Sequence, residues 1–131
     1  QIGKSMEHHG DDLSVVAAGY PAEMIELINT NPGLKSRFTR TVEFADYGTE
    51  ELIAIFGLIS GKKEYHLDES GAKALRVVIE AEPRGQGFGN ARFTRNVVEA
   101  AIRHHALRLS AVAVPTAEQL TTLTAADIAG V

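Results

Sequence analysis

From Thr49 onward apolar residues recur at helical spacing, and before it they do not; this change of period constrains the fold more than any other feature. In "TEELIAIFGLIS", Leu52, Ile55, Phe56 and Ile59 stand three or four apart, so they share a face only if the chain winds at about 3.6 residues per turn. Thr49 precedes the acids Glu50 and Glu51, which predicts a helix with Thr49 as its N-cap. "LDESGAKALRVVIEAE" predicts a second helix, capped by Asp68, with Ala74, Leu75, Val78 and Ile79 apolar. "PRGQGFG" is a loop by composition. A third helix is predicted from about Ala91 to Leu107 with Asn90 as cap. Its apolar side uses Phe93, Val97, Ala100 and Ala101, against a polar stripe of Arg92, Arg95, Glu99 and Arg103. "TAEQL" pairs Thr116 with Gln119 as a capping box, and "LTAADIA" begins another short helix.

Residues 1–46 follow other periods. Residues 1–9 suit the tail of a helix ended by Gly10. "LSVVAAGY" (Leu13 to Tyr20) is a short apolar run between turn signals and predicts a buried strand. Pro21 opens a predicted helix with Met24, Leu27 and Ile28 on one side and a stop at Asn31-Pro32-Gly33. "RTVEFADY" alternates Val42 and Phe44 with polar neighbours, a second short strand. The joint falls near Asp46-Tyr47-Gly48, giving a front portion (1–46) and a helical portion (47–131). Strand–helix–strand suggests a crossover unit, yet a two-stranded sheet is barely stable alone, so the front portion reads as part of something larger.

Composition narrows the function classes. The 131 residues suffice for one domain, or a small domain with a piece of another. An apolar fraction of 44% with 23% charged residues belongs to a globular chain. A net charge of −4 argues against a general nucleic-acid binder, although residues 84–108 hold five arginines against one acid, Glu99. The absence of cysteine excludes disulfides and thiolate chemistry. No apolar run reaches the roughly 20 residues of a membrane span, and "QIGKSMEHHGDD" is polar where a signal peptide is apolar; the expected location is cytoplasmic.

Several local patterns carry little chemistry. Gly3-Lys4-Ser5 resembles the end of a phosphate loop but lacks the preceding strand and glycine. "GQGFGNA" follows a helix rather than the strand a dinucleotide fingerprint needs. His8-His9 and His104-His105 are neighbours, and adjacent side chains on a helix diverge by about 100°, a poor arrangement for chelating one metal, so no metal site is expected. Glu7, Asp11, Asp12, Glu23 and Glu26 read as a solvated acidic face, and no nucleophile triad has a distinctive local sequence.

Two arginine-bearing stretches ask more. Arg92 stands at a helix start, where unpaired N–H groups make a cation mildly unfavourable. Either its side chain reaches into water or it helps bind an anion such as phosphate or carboxylate. "NPGLKSRFTR" sets Lys35, Arg37 and Arg40 on a short connection before a strand, which serves loop solubility or reaches a neighbour's phosphate.

Five segments in register resemble the C-terminal half of an AAA+ ATPase module of the CbxX/CfqX type, a group with Rubisco activases, a sporulation ATPase and type VII secretion ATPases. They are "MEHHGDDLSVVAAGYPAEM", "NPGLKSRF", "VEFADYGTEEL", "FGNARFTRNVVEAAIRHHALRL" and "LTAADI". The resemblance implies a mainly α chain: a remnant of the α/β nucleotide-binding core with about two strands (1–46), then a helical lid (47–131). It implies ATP and Mg²⁺ as cofactors of the complete protein, neither bound tightly by this chain alone, and a ring homo-oligomer, a hexamer, acting on a protein substrate. Arg92, in "GNAR", matches the lid arginine called sensor 2, which contacts nucleotide phosphates. Arg37, in "SRF", matches the arginine finger offered to the adjacent subunit's ATP, a catalytic role. Tyr20, in the subgroup's "AGY" pattern, stands where many relatives carry a polar sensor-1 residue; it is a nucleotide-site candidate whose hydroxyl either positions water or only packs.

Arg40 and Arg95 are secondary candidates, and Lys35 departs from the arginine often found at its position. The family's phosphate-binding loop, Mg²⁺-binding acid and pore loop lie upstream of the matching segment, so the chain alone is expected to be inactive. Its front strands, 13–18 and 41–45, would lose a central neighbour, and that portion is expected to be disordered, repacked or paired with another chain. Beside the ATPase reading stands a non-catalytic helical protein-interaction module on the same lid scaffold. Ranked below both is an anion-binding regulatory role for the stripe from Arg92 to Arg103.

Overall fold

Proline starts the first two helices among the described residues. The computed structural model describes residues 13–131, and the chain divides after Ala45 into two units. In the first unit, Pro21 begins α1 (Pro21–Thr30) and Pro32 begins α2 (Pro32–Arg37), each where its missing N–H costs nothing. Asn31 ends α1 by donating from Nδ2 to the Leu27 carbonyl at 2.9 Å, and Thr30 Oγ1 donates to the Glu26 carbonyl at 3.0 Å. The stop at Asn31 is therefore as expected, but the "PGLKSR" that follows is a helix rather than a plain connection.

The strands expected over Leu13–Tyr20 and around Val42–Phe44 are not formed; both stretches lie outside any ladder. Val16 and Phe44 are each 92% exposed, and neither α1 nor α2 buries a residue. A strand is stabilised by its neighbours, and none lies beside these segments among the described residues of the unit. The expected helix over residues 1–9, Gly3-Lys4-Ser5, His8-His9 and the acids Glu7, Asp11 and Asp12 lie outside the described residues.

The second unit contains α3 (Thr49–Lys62), β1 (His66–Leu67), α4 (Glu69–Ala81), α5 (Ala91–Leu109), α6 (Ala117–Thr121), β2 (Thr122–Leu123) and α7 (Ala125–Ile128). Its core joins Leu52 and Phe56 of α3, Leu75 and Ile79 of α4, Val97, Val98 and Ala101 of α5, Leu123 of β2 and Ile128 of α7. Each large apolar side chain buried there contributes roughly 1.5–3 kcal/mol. The predicted faces of α3 and α4 are the buried ones, and Arg92, Arg95, Glu99 and Arg103 all point to solvent. The chain is thus mainly α, with two short parallel strands among the described residues, but those strands lie inside the helical portion.

That ladder is only two residues long, pairing His66 with Thr122 and Leu67 with Leu123. It brings α4 so close to β2 that Gly71 faces the Leu123 carbonyl directly; a Cβ there would sit 2.7 Å from that oxygen. Caps form largely as the side chains predict. Asp68 Oδ1 accepts from the Gly71 N–H at 2.7 Å, and the Thr116–Gln119 box closes in both directions. Thr49 is the first residue of α3 rather than its cap; Gly48 precedes it and donates its N–H to Glu51 Oε2 at 3.0 Å.

Candidate functional site

The loop from α4 to α5 reaches its helix through an unusual residue. Asn90 has φ 48° and ψ −119°, a positive-φ conformation outside the left-handed helical well that residues other than glycine rarely adopt. It precedes α5 as expected but does not cap it, because its side chain makes no bond to the first turn. Instead the Gly89 carbonyl accepts from the N–H of Arg92 at 2.8 Å and, more weakly, of Phe93 at 3.4 Å. A glycine fits at 89 because a Cβ would come within 3.2 Å of the Phe93 nitrogen.

Freed from capping, the Asn90 amide turns to the chain entering α3. Its Oδ1 accepts from the Tyr47 N–H at 2.8 Å, and its Nδ2 donates to Asp46 Oδ1 at 2.7 Å and to the Phe88 carbonyl at 3.3 Å. Arg84 closes the other side: its Nη1 donates to the Tyr47 carbonyl at 2.9 Å while its guanidinium lies 4.3 Å from the Phe88 ring centre. Phe88 in turn meets Phe93 of α5, ring centres 5.8 Å apart. Residues 46–47, 84, 88 and 90 therefore form one bracket around the start of α5.

Arg92 follows that bracket, exposed in the first turn of a 19-residue helix. Among the described residues, no ion pair engages Arg92, Arg95 or Arg103, whereas Arg76 pairs with Glu50 and Arg108 with Asp127. An exposed guanidinium beside the positive end of a helix is suited to an anion with several oxygens.

The other predicted site residues belong to the first unit. Arg37 is the last residue of α2, partly buried, with Nη1 donating to the Gly33 carbonyl at 2.7 Å. Lys35 and Arg40 are exposed. Tyr20 precedes α1 and is 47% exposed, and its carbonyl accepts the Met24 N–H at 2.9 Å. No cluster of three histidines or acids suited to a metal occurs among the described residues.

At the far end of α5 the chemistry is structural. Arg108 grips Asp127 with two prongs, Nε to Oδ1 and Nη2 to Oδ2, both 2.8 Å. Burial pushes the Asp127 carboxyl up, but the hydrogen bonds from Arg108 and the Thr124 N–H, with the charges of Arg108 and His105, outweigh it and hold the group below its ordinary range. His104 donates from Nδ1 to the Asp127 carbonyl at 2.9 Å, and buried His105 donates from Nε2 to the Gln119 carbonyl at 2.8 Å, so each of those nitrogens carries a proton. The rings of Tyr65 and His105 stand nearly perpendicular, with centres 5.3 Å apart. The adjacent histidines thus serve two different backbone partners, in keeping with their divergence on a helix. An open groove of about 280 Å³, lined by Val77, Val78, Ala81, Glu82, Phe93 and Val131, carries a single side-chain carboxylate and offers apolar contact rather than catalysis.

Sequence reasoning missed the bracket of Asp46, Tyr47, Arg84 and Asn90. The signal within reach was "GN", a pair that favours positive φ and turns.

Residues 48–130 match the AAA lid domain family. The chain is similar to a "Protein CfxQ homolog" of Galdieria sulphuraria, 38% identical over 94% of this chain and 41% of the relative. It is likewise similar to "Protein CbxX, plasmid" of Cupriavidus necator, 35% identical over 94% of this chain and 39% of the relative. "Stage V sporulation protein K" of Bacillus subtilis is 34% identical over 81% of this chain and 34% of its own length. The chain therefore spans well under half the length of these relatives.

Proposed function

Since the chain belongs to the AAA lid family, as the C-terminal module of a CbxX-type AAA+ protein, we propose that it serves an ATP-driven protein-remodelling machine by supplying two arginines. Arg92 is the sensor-2 arginine of the lid, contacting the phosphates of ATP bound by its own subunit. Arg37 is the arginine finger, offered to the ATP of the neighbouring subunit in a six-membered ring. Tyr20 lies at the nucleotide site, where its hydroxyl positions water. The observation that carries this reading is Arg92 itself: exposed, without an ion-pair partner among the described residues, and set in the first turn of α5, where its charge gains nothing from the fold.

ATP supplies the anion that makes the position favourable. The exposed guanidinium and the helix end fit a triphosphate; Mg²⁺ is assigned no ligand among the described residues. In the reaction, Arg37 places fixed positive charge where negative charge builds on the transferred phosphoryl group, an effect typically worth about 10³–10⁵ in rate. The machine acts on a protein substrate and works in the cytoplasm; no helix among the described residues is long and apolar enough to cross a membrane.

The test uses the full-length protein. Arg37→Ala should lose most ATP turnover while keeping nucleotide affinity, and Arg92→Ala should weaken nucleotide affinity or uncouple it from turnover. Wild-type turnover in the Arg37 variant overturns the finger assignment.

A further inference from the structure

An asparagine before a helix ordinarily turns its side chain onto the first-turn N–H groups. Asn90 forgoes that bond, adopts a positive φ, and spends its whole amide on residues 46, 47 and 88. Two of those partners precede α3, more than forty positions away along the chain. The first turn of α5 stays satisfied through Gly89, so the helix does not require the Asn90 side chain for its own start. What the amide accomplishes is different. It welds the chain entering this unit to the loop that aims Arg92, two residues further on.

We propose that Asn90 is a positioning residue: it locks Asp46 and Tyr47 to the start of α5, so that the entering chain and Arg92 move as one body and Arg92 meets the nucleotide in a fixed register. This rests on the nucleotide role of Arg92 proposed above. The pivot of the lid then lies before Asp46, and Gly48, despite its freedom, is not the hinge. Arg84 supports the same arrangement from the Tyr47 carbonyl.

The chemistry allows a swap of partners. Asn90→Asp removes the donor to Asp46 and sets two carboxylates against each other, which should open the bracket. Adding Asp46→Asn restores a donor–acceptor pair with the direction reversed, while the carboxylate introduced at position 90 still accepts from the Tyr47 N–H.

The experiment measures the affinity of the full-length protein for fluorescently labelled ADP, with a thermal melt of each variant beside it. Asn90→Asp should weaken binding about tenfold, and the double variant with Asp46→Asn should recover most of the loss. On an Arg92→Ala background, Asn90→Asp should add little, because its effect passes through Arg92. Asn90→Gly, which keeps the backbone conformation without the amide, should weaken binding even where its melting temperature matches the wild type. If Arg92→Ala weakens binding and Asn90→Asp does not, or if the two losses simply multiply, the positioning role is overturned while the reading of Arg92 stands. If Arg92→Ala leaves affinity unchanged, the positioning role, which is read through affinity, is overturned; if ATP turnover is unchanged as well, the nucleotide reading itself fails.

Discussion

Arg108 of α5 and Asp127 of α7 form a two-pronged ion pair in which the carboxylate is 1% exposed and the guanidinium 32%. Desolvating the carboxylate is costly, and the geometry offsets it: both oxygens are matched, and Oδ2 also accepts the Thr124 N–H at 2.9 Å. Together with His104 it fastens α7, and so Ile128, onto the core.

Removing one partner strands the other. Arg108→Ala should destabilise the unit by about 3 kcal/mol, since an unpaired buried carboxylate remains. For a unit of this size, that corresponds to a fall in melting temperature on the order of 15 °C. Replacing both residues with apolar ones of similar volume should cost much less, which a melt of the double variant checks.

The same pair sets an acid limit. The Asp127 carboxyl lies below its ordinary range, and so does Asp68, where the Ser70 hydroxyl and then the Gly71 N–H hold the ionised form. A folded-state pKa below the unfolded one confers stability that is full above the ordinary carboxylate range and is lost as the pH falls through the lowered value. Urea midpoints should therefore hold steady from neutral pH to about pH 5 and drop steeply below about pH 4. Asp127→Asn should flatten that slope as well as lower the midpoint.

Gly71→Ala should reverse the usual sign of a helical substitution. In an open helix interior, alanine is better than glycine by about 1 kcal/mol. At this position the added methyl meets the Leu123 carbonyl at 2.7 Å and Leu67 Cδ2 at 2.9 Å, so the β1–β2 ladder must part. A net loss of about 1–3 kcal/mol is expected, read from denaturant unfolding.

Arg92→Ala separates function from fold. A cation in the first turn opposes the helix dipole, so its removal should leave stability unchanged or raise it by at most about 1 kcal/mol. A variant that melts like the wild type yet loses nucleotide affinity would locate the value of Arg92 in the ligand rather than in the fold.

Where the sequence speaks through period, it is legible. Leu52, Phe56, Leu75, Ile79, Val97 and Ala101 are buried on the faces that helical spacing assigns them. Arg92 stands at the start of α5, and Thr116 caps α6, because capping chemistry is local. The strands expected at 13–20 and 41–45 do not form, because apolar alternation describes a face and not the neighbour it needs. The β1–β2 ladder is too short to have a period. Asp127 and His105 are buried because their partners lie on other elements, which no local window contains. Asn90 reads as a cap in sequence since its actual partners, Asp46 and Tyr47, are remote along the chain.

The closing ladder also orders assembly in time. Leu67 waits for Leu123, and the helical core between them stays incomplete until Leu123 and Ile128 arrive. On a ribosome, α3, α4 and α5 emerge before β2 and α7, with their apolar faces uncovered, and the long-range pairing that seals them forms after them. Until then the three helices leave an apolar surface uncovered, which closes once α7 docks.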